Sequence, residues 1–148
     1  MKRRKAREMV LKILFQINVG GLSKQYVMDD FLYTRNIDEN SRNFIEDLVE
    51  NTIKNSNHID QLIEKYSIDW NIDRLGNVEL NVLRFSVYEL LYRDDIPPNA
   101  TINEAIEITK KYSGIEAAKF VNGILGKINE DFKKNCKGET QNENPSGD

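Results

Sequence analysis

The chain has 148 residues, 39% hydrophobic and 30% charged, with a formal net charge of −3. That describes one soluble globular domain with enough chain to bury its own core, and excludes a miniature that needs disulfides or a metal to fold. One cysteine (Cys136) and one histidine (His58), in different helical segments, argue against a disulfide framework, a zinc site and a cysteine–histidine catalytic pair.

The pattern is helical from end to end. Ala6, Val10, Ile13, Leu14 and Ile17 repeat at three and four residues and predict a helix from about Arg4 to Val19. Lys12, Gln16 and Asn18 interrupt its apolar run, so it reads as amphipathic rather than as a signal peptide. Gly20-Gly21 stops it. Ser23 caps a short second helix with Tyr26, Val27 and Phe31. Asp38 to Asn40 opens a third, with Phe44, Ile45, Leu48, Val49, Thr52 and Ile53 inward. Ile59, Leu62, Ile63 and Tyr66 continue the period beyond Asn55-Ser56-Asn57, which either kinks this helix or divides it.

Asn71-Ile72-Asp73 begins the next region. Asn77 to Tyr92 is apolar on most sides and belongs at the centre of a fold. Its polar exceptions, Asn77, Asn81, Arg84 and Tyr88, form a stripe. Pro97-Pro98 cannot continue that helix. Thr101-Ile102-Asn103-Glu104 and Ser113-Gly114-Ile115-Glu116 both fit the capping-box pattern and predict two helices joined by a turn, the last running to about Phe132. Residues 135–148 lack apolar side chains and are expected to be a disordered polar tail to a domain spanning 1–134. No strand is predicted, so the fold class is all-α, a single-domain helical bundle. No apolar run approaches the ~20 residues of a membrane span, and a reducing cytoplasm is the expected compartment.

Charge is unevenly placed. Residues 1–12 carry a balance of +5 from Lys2, Arg3, Arg4, Lys5, Arg7 and Lys12 against Glu8, while the remainder carries −8. A basic patch on an acidic body binds phosphate locally while the body repels nonspecific contact. Phosphate-loop, dinucleotide and nucleophile-elbow patterns are missing, so no enzyme is predicted, and neither a cofactor nor a metal. Arg3, Arg4, Lys5 and Arg7 cluster at a helix start, where guanidinium groups match phosphate oxygens. Phe120, beside Lys119 and near Asn122, has two readings: a platform on which a base stacks, or a core residue like Val121, Ile124 and Leu125. Arg84 interrupts the apolar Val82-Leu83-Arg84-Phe85; it either faces a solvent groove or pairs with a carboxylate, because an unpaired buried charge is very costly.

Three segments, RRKARE at the amino end, RLGNVELNVLRFSVYELLYRDDIP in the middle and INEAIEITKKYSGIEAAKFVNGILG near the carboxy end, resemble the signatures of the NusB family of bacterial transcription antitermination factors. The resemblance runs in the correct order from about Arg3 to Ile128. It implies about seven helices built as two three-helix bundles sharing a core. It also implies binding to boxA, a single-stranded element of nascent ribosomal RNA, together with NusE, a small-subunit ribosomal protein. NusA, NusG and RNA polymerase complete the larger complex that supports transcription of rRNA operons, and no reaction is catalysed. Matched by motif, Arg3, Arg4, Lys5, Arg7, Arg84, Glu116, Lys119 and Phe120 are implied to face RNA, and Phe15, Asp73 and Glu79 to face NusE. Acidic groups suit a basic ribosomal partner. The family often has tyrosine at position 15, and Phe15 lacks that hydroxyl. Family members occur as monomers or homodimers. The alternatives are an RNA-binding accessory domain like that of rRNA 5-methylcytosine methyltransferases, which are longer and carry a cofactor-binding domain, and a helical protein–protein adaptor.

Overall fold

The structure, a computed structural model, describes residues 1–67 and 75–147, with 134–147 described by backbone alone. The described residues form seven helices and no strand: α1 (Arg3–Asn18), α2 (Lys24–Tyr33), α3 (Glu39–Lys54), α4 (Ser56–Tyr66), α5 (Asn77–Tyr92), α6 (Pro98–Ser113) and α7 (Ile115–Gly147). The expected tail, 135–148, falls where side chains lie outside the described residues.

Local chemistry sets most of the boundaries. A Cβ at Gly20 would lie 2.7 Å from the Gln16 carbonyl oxygen, and Gly21 sits at φ +69°, so the turn after α1 requires both glycines. The Ser23 hydroxyl accepts the Tyr26 N–H at the start of α2, and the Asp38 carboxylate accepts the Ser41 N–H at the start of α3. Asn55, at φ −102° and ψ 18°, divides α3 from α4 instead of kinking one long helix. Gly76 N–H donates to the Glu79 carboxylate at 2.9 Å and closes the first turn of α5.

The start of α6 corrects the sequence expectation. The helix opens at Pro98, a full turn earlier than Thr101, because proline fits the first helical position with its missing N–H and preset φ. Thr101 and Glu104 therefore do not form a capping box. The Thr101 hydroxyl donates to Glu89, and Glu104 accepts from Arg4. The turn between α6 and α7 is made by Gly114 at φ +93°.

Helix α5 is the axis. It packs against α1, α3, α6 and α7, with α4 reaching both α5 and α7. Val82, Leu83, Phe85 and Val87 are fully buried there among Ile13, Leu14, Leu48, Ile108 and Leu125. In the polar stripe on α5, Asn77 is exposed and the other three side chains are bonded. Asn18 donates to Asn81, Arg84 forms a two-pronged pair with Asp60 at 2.9 and 3.1 Å, and the Tyr88 hydroxyl donates to Asp47. Burial and the Asp47 carboxylate push the Tyr88 hydroxyl up to about 12.

At the centre lies a buried ion pair. Arg7 on α1 is 4% exposed and Glu89 on α5 is 1% exposed. The guanidinium donates to both carboxylate oxygens at 2.9 and 2.8 Å, and Thr101 of α6 donates to the same carboxylate at 2.9 Å. Three helices meet in that one bonded node. Removing one partner strands the other charge in the core, so Glu89→Leu should cost about 3–5 kcal/mol. Arg7→Met combined with Glu89→Leu should recover most of that loss. Urea unfolding of the single and double variants checks this: a double variant as damaged as the single would show that the pair's worth is not electrostatic.

Candidate nucleic-acid interface

Helical spacing puts Arg4, Lys5, Glu8 and Lys12 on one face of α1. Two contacts lay that face along α6. Arg4 Nε donates to both oxygens of Glu104 at 3.2 Å, and its Nη2 donates to Oε2 at 2.6 Å. Four residues along, the Glu8 carboxylate accepts from Lys111 Nζ at 2.8 Å and from the Tyr112 hydroxyl at 2.6 Å. Burial alone would raise the Glu8 carboxyl; the bonds from Lys111 and Tyr112 hold it below the ordinary carboxylate range.

Glu8 therefore clamps the last turn of α6 to the middle of α1. Gly114 turns the chain directly afterwards, so α7 starts beside the same clamp. Its first turns expose Glu116 and Lys119 and leave Phe120 half-buried against the core. That places Phe120 between the two sequence readings: its ring contributes to packing at the edge of the bundle. The α6–α7 turn thus lies beside Glu8, one helical turn along α1 from Arg4.

The expected site residues divide into groups. Arg3, Arg4 and Lys5 are exposed, and the Arg3 guanidinium carbon lies 3.9 Å from the centroid of the Phe44 ring. Arg7 departs from the expectation of an RNA-facing guanidinium, because it is buried and its Nε and Nη2 both donate to Glu89 inside the core. Arg84 takes the second of its two readings: it is partly buried and paired with Asp60. Of the residues expected at a protein partner, Phe15 is 38% exposed and Glu79 is half-buried on the Gly76 N–H. Asp73 lies outside the described residues.

Sequence reasoning missed four participants. Glu8, the one acid among the first basic residues, is the clamp, and its isolation in that run is the signal that could have found it. Lys111 and Tyr112 are its counterparts on α6, and Glu104 is that of Arg4, some hundred residues away in sequence. A cleft of about 560 Å³ opens between the two helix starts, lined by Arg3, Ile96, Pro97, Ala100, Asn103 and Glu104 among others. Beyond the far end of α1, Val19 and Leu22 are exposed with Phe15. Leu22 N–H bonds back to the Gln16 carbonyl, so an apolar patch forms at the turn. No helix among the described residues is long and apolar enough to cross a membrane.

The family model described as the NusB family matches residues 4–130. The transcription antitermination protein NusB of Thermodesulfovibrio yellowstonii is 45% identical, over 86% of this chain and 91% of that protein. NusB of T. maritima superposes with a TM-score of 0.80 at 36% identity, covering 88% of this chain and 92% of that one. A structure of the antitermination factors NusB and NusE in complex with dsRNA superposes with a TM-score of 0.78 at 30% identity, covering 87% of this chain and 96% of the matched chain.

The clamp makes a pH-dependent contribution. Folding lowers the Glu8 carboxyl below its ordinary 4.5, so the stabilisation is complete above that value and is lost as pH falls through the lower folded value. Thermal unfolding of Glu8→Gln should fall short of the native chain at neutral pH and converge with it in acid. An equal deficit at both would show that Glu8 stabilises by packing alone.

Proposed function

The chain belongs to the NusB family, and on that premise we propose that it is an RNA-binding transcription antitermination factor, acting with NusE on boxA of nascent ribosomal RNA. The carrying observation is the Glu8 clamp, which joins the basic face of α1 to the α6–α7 corner. In this reading the phosphate contacts and a base-contacting ring belong to one surface.

In this reading Arg3, Arg4 and Lys5 hold backbone phosphates of the single strand. Lys119 adds charge at the start of α7, and the accessible edge of Phe120 meets a base, with Glu116 bordering it. Arg7 holds α1 in place from inside and touches no RNA. Arg84 reaches a phosphate only by exchanging Asp60 for it. Phe15, with Val19 and Leu22 around it, forms the apolar centre of the NusE surface, and Asp73 and Glu79 supply its acidic side. An acidic body suits a basic ribosomal protein and steers its approach. The RNA–NusE complex then joins NusA, NusG and RNA polymerase in the cytoplasm, so that rRNA transcription proceeds through terminators. The protein works by binding, with no reaction step. A homodimer that covered α1 would compete with RNA.

Fluorescence anisotropy with a boxA-like single strand tests this. Binding should weaken steeply with salt, by about 0.7 in log–log slope per phosphate contacted, and NusE should tighten it. Replacing Arg3, Arg4 and Lys5 together with glutamate should abolish it. Phe120→Ala should cost roughly 1–3 kcal/mol of RNA affinity in the folded fraction. Unchanged RNA binding after the triple charge reversal would favour a protein–protein adaptor instead.

A further inference from the structure

Arg3 and Arg4 are neighbours in sequence but sit in different electrostatic states. Arg3 lies over the Phe44 ring and has no carboxylate at ion-pair distance among the described residues. Arg4 is capped by Glu104 through three short contacts, 3.2, 3.2 and 2.6 Å, in the fork geometry a guanidinium also makes with a phosphate. We infer that Glu104 is a built-in phosphate mimic: its carboxylate occupies the position on Arg4 that an RNA phosphate takes, and RNA must displace it to bind. This rests on the RNA-binding reading above and names a residue that sets the affinity and salt response of that site.

Three observations carry it. First, the pair is dispensable as an anchor, because the buried Arg7–Glu89–Thr101 node and the Glu8–Lys111 contact already join α1 to α6. Second, the Arg4 side chain is 52% exposed, so its guanidinium is open to an outside ligand while it holds Glu104. Third, Glu104 and Arg3 line the same cleft, so a phosphate drawn to Arg3 meets the Glu104 charge across it. Once Arg4 changes partner the Glu104 carboxylate is left uncompensated in that cleft, which opposes the phosphate unless the carboxylate is removed.

The physical consequence is a filter. A polyanion with weak, diffuse contacts gains too little to open the Arg4–Glu104 pair, whereas a strand also held at α7 gains enough. The carboxylate also cancels one cation from the count that governs salt dependence.

The experiment is a salt series of boxA-like RNA binding, with NusE present, for the native chain, Glu104→Gln, Arg4→Ala and the double variant. Glu104→Gln should bind about two- to fivefold tighter at low salt, the worth of an exposed ion pair, and steepen the log–log salt slope by about 0.7. In the Arg4→Ala background the same change should give no gain. An equal gain there would overturn the inference, because Glu104 would then act only as a general negative charge. A native chain that binds while Glu104→Gln binds no tighter overturns this inference alone. A native chain that fails to bind RNA with NusE present overturns the RNA-binding reading, and this inference with it.

Discussion

One buried ion pair governs where everything else on this molecule sits. Arg7 and Glu89 meet inside the core with both guanidinium–carboxylate contacts made, and Thr101 supplies a further donor to the same carboxylate. Neither charge is tolerable there alone, because desolvation costs several kcal/mol per ion. The requirement that they meet ties α1, α5 and α6 together at one point and fixes the rotation of α1 about its axis. With Arg7 turned inward, the helical period turns Arg4, Lys5 and Glu8 toward α6. The outer basic face follows from the inner ion pair.

The rest of the surface electrostatics builds on that rotation. The cations along the α1–α6 seam are kept in defined places by a few partners: the Phe44 ring for Arg3, Glu104 for Arg4, and Glu8 for Lys111 of α6. Carboxylates placed this way organise a basic patch without flooding the surface with free positive charge. The acidic remainder of the chain supplies opposite potential elsewhere, so two partners of opposite charge can be bound on separate surfaces. The apolar turn around Phe15, Val19 and Leu22 lies at the far end of α1 from the arginines, which keeps the two surfaces apart on one rigid helix.

Much of the fold was legible because its signals are local. The caps at Ser23 and Asp38, the Gly20-Gly21 stop and the apolar period of α5 each depend on a few consecutive residues, and the helices start and end where those signals stand. The start of α6 was misread because two local signals competed: Pro98 at the first helical position prevailed over the capping-box pattern at Thr101. The site was legible only in part. The basic cluster showed in the composition of the first residues, but not that Arg7 points inward, since that depends on Glu89, a partner 82 positions away. The same limit hid Glu104, Lys111 and Tyr112. For Arg84 the sequence correctly posed a choice, and Asp60 resolves it. Phe120 defeated both simple readings because it stands at the boundary between core and surface, where helical periodicity carries least information.

The central claim is that the basic face of α1 and the start of α7 act as one surface for a single strand of RNA. Amide chemical-shift mapping of the isotopically labelled chain during titration with boxA-like RNA tests it most directly. The account predicts that the amides of Arg4, Lys5, Lys119 and Phe120 shift together along one binding isotherm, with those around Phe15 unmoved until NusE is added. Shifts confined to α1 or to α7, or two sets that saturate at different RNA concentrations, would contradict it.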